Sequence, residues 1–145
     1  MRIIGLDIGD RRIGVAVSDP TGMISTGLGV IRRSSIEEDI DAILKFTEDY
    51  KAEKIVAGLP KNMDGTIGFQ AQKVLDFIDK LKEKTDMPII KWDERLTTVS
   101  AHRTMAEKKT KINKRKEEVD KIAACYILQG YLDSIGRSYR GADQK

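Results

Sequence analysis

Three acids, far apart in the chain, occupy positions where a carboxylate needs a partner. Asp7 sits inside Ile-Ile-Gly-Leu-Asp-Ile-Gly at positions 3–9, an apolar run that predicts a central strand. Burying an isolated carboxylate is costly, so Asp7 must be paired, protonated or bound to a cation. Gly5 and Gly9 beside it leave room for another backbone or a phosphate. The plainer alternative is that Asp7 caps the next turn by accepting amides near Arg11. Asp93 and Glu94 end another apolar run, and strand alternation sends them to opposite faces, so only one can converge with Asp7. Glu94 is the preferred member of that pair; its alternative role is a surface acid paired with Arg95 or Lys91. Asp120 follows Glu117 and Glu118 at the start of the last helical pattern, where the helix dipole favours any acid. It is singled out because the apolar stripe flanks it directly.

Carboxylates from a strand, a neighbouring sheet edge and a covering helix are the hard oxygen donors that Mg²⁺ or Mn²⁺ takes. Two such ions about 4 Å apart would activate water and stabilise the leaving oxygen of an in-line displacement at phosphorus. Zinc is a poor match: His102 and Cys125 are the only residues of their types, and one of each builds no tetrahedral site. His102 is expected on an exposed helix face, and Cys125 as a buried, inert thiol. Phosphate contacts would come from Arg11, Arg12 and Arg95, and from Lys61 and Asn62 in the loop over 60–68. The run Lys108, Lys109, Lys111, Lys114, Arg115 and Lys116 adds six positive charges within nine residues. That density suits a nucleic-acid backbone and equally suits a solvated loop.

The elements that must hold these groups follow from periodicity and turn chemistry. Apolar runs at 3–8, 13–18 and 24–31 are separated by Gly-Asp-Arg-Arg and Asp-Pro-Thr-Gly, which predicts an antiparallel three-stranded meander. Ser34 and Ser35, each followed three residues later by Glu, open a helix with Ile36, Ile40, Ile43, Leu44 and Tyr50 along one stripe. A buried strand at 54–59 follows, and its right-handed parallel crossover puts it beside the first strand. A second helix has Phe69, Val74, Phe77, Ile78 and Leu81 as its core face, and a fifth strand spans 88–92. Helices at about 99–108 and 117–134 complete the order, the last carrying Val119, Ile122, Ala123, Tyr126, Ile127 and Leu132. Residues 1–135 form one domain, and 136–145 read as a frayed, flexible tail. The expected class is α/β: a ribonuclease-H-like, five-stranded mixed sheet flanked by helices.

Four segments in order make the resemblance specific. They are Gly5-Leu6-Asp7-Ile8-Gly9 with Arg12-Ile13-Gly14-Val15-Ala16-Val17-Ser18; Gly58-Leu59-Pro60-Lys61-Asn62-Met63-Asp64-Gly65-Thr66; Asp93-Glu94-Arg95-Leu96-Thr97-Thr98; and Val119-Asp120-Lys121-Ile122-Ala123-Ala124. Together they resemble the YqgF family, also called RuvX, from Arg2 to about Leu132. The resemblance implies a ribonuclease-H-like fold related to the junction resolvase RuvC. It also implies a nuclease that matures the 5′ end of precursor 16S ribosomal RNA, with junction resolution in some members. It marks Asp7, Glu94 and Asp120 as the metal-binding acids. One departure stands out: resolvases end their fourth strand with an acid, whereas this chain has Ala57-Gly58-Leu59.

Two other classes compete. Asp-x-Gly after a first strand also introduces the phosphate-binding hairpin of actin-like and sugar kinases, but that architecture closes two such domains over ATP and 145 residues supply one. A non-catalytic RNA-binding assembly factor would use the basic run and leave the acids idle. Net charge is +3, charged residues make up 34% and hydrophobic residues 40%, as in a soluble globular protein. A single cysteine and the absence of a long apolar run point to the cytoplasm and away from a membrane. The expected partner is nucleic acid, structured RNA or branched DNA, bound by a monomer or a homodimer.

Overall fold

The computed structural model describes residues 1–96 and 113–143, with side chains through 96 and from 117 to 136. Its elements are β1 (Arg2–Ile8), β2 (Arg12–Ser18), β3 (Ser25–Arg32), α1 (Ile36–Asp49), β4 (Ala52–Leu59), α2 (Phe69–Lys82), β5 (Ile89–Asp93), a 3₁₀ turn (Glu94–Leu96) and α3 (Asn113–Asp143). The sheet order is β3-β2-β1-β4-β5. β1 to β3 pair antiparallel, and β4 pairs parallel with both β1 and β5. The ribonuclease-H-like sheet read from the sequence is therefore present, with β4 beside β1. The helix expected at 99–108, His102, and Lys108, Lys109 and Lys111 lie outside the described residues. Among the described residues, no helix is long and apolar enough to cross a membrane.

Alternation along the strands splits the interior into two cores. Ile4, Leu6 and Ile8 of β1 join Ile13, Val15, Ile40, Ile43, Val74, Phe77, Ile78 and Leu81 on the face covered by α1 and α2. Ile3 joins Ala16, Val56, Ala123, Ala124, Ile127 and Leu128 under α3. Ser35 caps α1 by accepting the Glu38 amide at 3.1 Å, while Glu38 takes the Ser34 hydroxyl at 2.5 Å. The two-serine signal is thus used by both serines.

On the α3 face the sheet presents glycines, and the helix rests directly on them. A Cβ built on Gly14 would lie 2.1 Å from the Asp120 carbonyl oxygen, and one on Gly5 2.7 Å from Leu128 Cβ. Gly58 and Gly27 would meet Ile127 Cδ1 and Lys121 Cγ, each at 2.5 Å. β1, β2, β3 and β4 each give one glycine to this contact.

Several expectations need correction. Phe69, expected in the core face of α2, is 79% exposed with Lys73 Nζ 4.4 Å from its ring centroid; Ala71 takes the inward position instead. Phe69 is the first residue of α2, before the helix reaches the sheet. Ile36 is likewise exposed, one turn ahead of the first buried apolar residue, Ile40. Ile122 and Tyr126 lie on the side of α3 that overhangs β3, an edge strand with no neighbour to cover them, so both are partly exposed. Cys125 is half-buried, not enclosed, with its Sγ 3.0 Å from Ser25 Oγ. α3 runs from Asn113 to Asp143, starting ahead of the expected 117 and passing the expected end at 134. Once nucleated, a helix extends at little cost even without an apolar stripe.

Two expected outcomes follow from this packing. Gly14→Ala forces the α3 backbone off the sheet and destabilises the protein by at least the ~1–3 kcal/mol typical of overpacking, read as a lower denaturant midpoint. Unchanged stability would mean the helix rides higher than described. Phe77→Ala costs about 3–5 kcal/mol as a core truncation, whereas Phe69→Ala stays within about 0.5 kcal/mol of the parent.

Candidate active site

Asp7 lies on the α3 face because Ile4, Leu6 and Ile8 alternate to the other side. Its antiparallel partner is Gly14 of β2. Across the parallel ladder Leu6 faces Ala57, so one step further Asp7 stands beside Gly58 of β4. The acid is 8% exposed and flanked on both sides by residues without side chains.

Those two gaps admit the other acids. Glu94 opens the 3₁₀ turn at the end of β5 and is also 8% exposed. A Cβ on Gly58 would come within 3.2 Å of the Glu94 carboxyl carbon. The Glu94 carboxylate therefore hangs over Gly58, on the strand next to Asp7. A side chain at position 58 of β4 would have to displace Ile127 and press on Glu94. On the opposite flank, the Asp120 backbone lies on Gly14. Gly14, Asp7 and Gly58 thus form a row across three strands, with Asp120 above one end and Glu94 above the other.

The three acids do not, as they stand, make a closed cluster. Among the described residues, no three His, Cys, Asp or Glu side chains are gathered closely enough to hold an ion. The Asp120 carboxylate is turned to Arg12, whose Nε donates to Oδ2 at 2.6 Å in a partly buried ion pair. Its neighbours are engaged elsewhere: Glu117 pairs with Arg32 at 2.6 Å and Glu118 with Lys121 at 3.4 Å. Arg12, expected to meet phosphate, is bound to an acid of the same site.

Asp93 points away from Glu94, as alternation requires. It takes Arg95 Nη2 at 2.7 Å, and Nε at 3.1 Å on both oxygens. This Arg95 fork holds the Asp93 carboxyl below the ordinary range and raises the Arg95 guanidinium. Arg95 Nη1 also donates to the Met63 carbonyl at 3.3 Å, tying the end of β5 to the 60–68 loop. Inside that loop Asn62 Nδ2 donates to Thr66 Oγ1 at 2.9 Å, and the Thr66 hydroxyl bond lowers Asp64 below the ordinary range. Gly65 adopts φ 88°, a left-handed turn that glycine tolerates. Asn62 is thus a closure of the loop in this structure, while Lys61 is half-buried beside it and Arg11 is exposed in the β1–β2 turn. Lys114, Arg115 and Lys116 fall in the first turns of α3, ahead of its described side chains.

Among the described residues the donor set suits a hard divalent cation: carboxylate oxygens, with the glycines at 14 and 58 putting no side chain of their own on either side of Asp7. Two features escaped the sequence reading. The glycines at 14 and 58 share the side-chain parity of Asp7, a signal visible once strand pairing is known. The Arg12–Asp120 pair spans 108 residues and leaves no local trace.

A family model described as "RuvX: Holliday junction resolvase" matches residues 1–134. A protein of Clostridium novyi named "Putative pre-16S rRNA nuclease" is 57% identical over 135 residues, covering 93% of this chain and all of that one. Its namesake in Clostridium tetani is also 57% identical, over 93% of this chain and 98% of its own. Among solved structures, Thermus thermophilus RuvC in complex with a Holliday junction substrate superposes with TM-score 0.56 at 11% identity, covering 92% of this chain and 94% of that chain. The fowlpox virus Holliday junction resolvase gives TM-score 0.51 at 16% identity, covering 93% and 99%. At such identities these two speak for the fold alone. With the model match spanning nearly the whole described sheet and its α3 cover, and with relatives matched end to end, the chain belongs to the RuvX family.

Proposed function

We propose that this chain is a metal-dependent nuclease that hydrolyses phosphodiester bonds, acting in 5′-end processing of precursor 16S ribosomal RNA. The observation that carries it is Asp7: a buried carboxylate on a central strand, between two glycines, with Glu94 suspended over one of them. A carboxylate held there offers hard oxygen donors to a cation, and the relatives' name supplies the substrate.

Asp7, Glu94 and Asp120 are the proposed ligands for Mg²⁺ or Mn²⁺, in a two-ion arrangement. When bound, the ions would activate water and neutralise charge on the scissile phosphate and the leaving oxygen. The chain's own residues do the rest. Asp7 and Glu94 are fixed by sheet register and by the turn after β5, so their oxygens are positioned before substrate arrives. Arg11, exposed in the β1–β2 turn, offers a guanidinium to a backbone phosphate. Lys61, half-buried in the loop after β4, offers a second cation, and Arg95 ties that loop to the end of β5; Lys114, Arg115 and Lys116 add further positive charge in the sequence at the start of α3. Phosphate contacts of this kind fix orientation without reading sequence.

The family model's description favours one second reading, cleavage of a branched DNA junction, which would call for a two-fold dimer. A manganese-dependent cleavage assay with precursor 16S RNA and a four-way DNA junction in parallel separates the two.

Asp7→Asn is expected to reduce RNA cleavage by roughly 10²–10³-fold or more while circular dichroism and thermal midpoint stay near the parent. Equal turnover by the variant would remove the proposal. Gly58→Ala pushes on Glu94 and Ile127, and is expected to cut activity more than ten-fold, roughly the effect of moving a ligand's support. Full activity in Gly58→Ala would take Glu94 out of the ligand set.

A further inference from the structure

The Arg12–Asp120 pair joins the start of β2, next to the β1–β2 turn, to α3. Arg12 begins β2, next to exposed Arg11, and its side chain is 27% exposed, so it is within reach of solvent on one side and of Asp120 on the other. The Asp120 main chain is pinned on Gly14. Its carboxylate can therefore change partner by rotation about its own side-chain bonds, with no movement of α3.

We propose that Arg12 is a latch, a positioning residue that withholds Asp120 from the cation until a nucleic-acid phosphate takes the guanidinium in its place. The inference rests on the nuclease reading above. A cation and the Arg12 guanidinium compete for the same carboxylate, because both are positive and Arg12 already occupies Oδ2 at 2.6 Å. A phosphate offers the guanidinium a two-pronged acceptor at least as good as a carboxylate. Phosphate binding thus frees Asp120, and a bound cation in turn frees Arg12 for phosphate. Such exchange is a coupling between two ligands and must be reciprocal. It makes full assembly of the three-acid site conditional on substrate, and it accounts for Asp120 facing Arg12 while Asp7 and Glu94 line the sheet.

The test is a Mn²⁺ titration followed by electron paramagnetic resonance. It uses the full chain with and without a phosphorothioate RNA hairpin that resists cleavage, after subtracting Mn²⁺ bound by the RNA alone. In the parent, RNA is expected to tighten Mn²⁺ binding by about ten-fold, within the usual range of such couplings. In Arg12→Gln, Mn²⁺ binds more tightly than in the parent without RNA, and RNA adds less than about two-fold. Asp120→Asn, which leaves Arg12 unoccupied, binds the RNA more tightly in the absence of metal. Arg12→Lys keeps the charge without the planar fork, retains part of the coupling, and serves as the reporter if the glutamine variant does not fold. Parental coupling in Arg12→Gln, or weaker Mn²⁺ binding by it without RNA, overturns the latch and leaves the nuclease reading standing. A parent protein that binds no Mn²⁺ under either condition removes the metal-dependent reading itself.

Discussion

The close approach of α3 to the sheet is the constraint on which the site depends. A helix carrying ordinary side chains against ordinary strands would hold its backbone too far away for Asp120 to reach the level of Asp7. Here Gly5, Gly14 and Gly58 remove the side chains that would act as spacers, and the Asp120 carbonyl comes to rest where a Gly14 side chain would be. The same glycines that let the helix down also open the gap on either side of Asp7. Packing and chemistry are therefore set by the same atoms, so a substitution that relaxes one must disturb the other.

Charge is arranged around that contact in two separate circuits. On the α3 face, the buried acids Asp7 and Glu94 share their surroundings with Asp120, whose charge is met by Arg12. On the other side of β5, Asp93 and Arg95 lock to each other and to the loop after β4. The two carboxylates are consecutive in sequence, yet the strand pleat gives one to the site and the other to its scaffold. The Arg95 fork keeps Asp93 ionised below the usual carboxylate range, so this link stays intact as pH falls and weakens only when the lowered pKa is crossed. The end of β5, and with it the turn that carries Glu94, is thereby held by an interaction insensitive to pH near neutrality.

Much of this was legible in the sequence, for reasons that can be named. Strand alternation placed Asp7 and separated Asp93 from Glu94, because a period of two leaves no freedom once a face is buried. The serine–glutamate spacing located the start of α1, with Ser35 of the two candidate serines as its cap. Phe69, Ile36, Ile122 and Tyr126 were misassigned because periodicity reports which residues share a stripe, not where the sheet stops beneath it. The α3 boundaries differ from expectation at both ends because its extension needs no stripe at all. Least legible was the partner of Asp120: an arginine 108 positions away is a consequence of topology, and no local pattern encodes it.

The end of β4 shows why kinship of fold does not carry a site across unaltered. Resolvases are expected to place an acid there, and this chain has Gly58. The space is not empty: the Glu94 carboxyl group and the Ile127 side chain already fill the position that a β4 side chain would take. A side chain at 58 would have to displace Ile127 Cδ1 and press on the Glu94 carboxyl group, so the glycine and the glutamate are coupled. Holding Glu94 in that place then requires the Asp93–Arg95 lock beside it, which in turn requires the Met63 carbonyl of the loop after β4. One glycine on a central strand thus commits the neighbouring strand, its turn and a loop to a common geometry, and the chemistry of the site is read from that set rather than from any one of its acids.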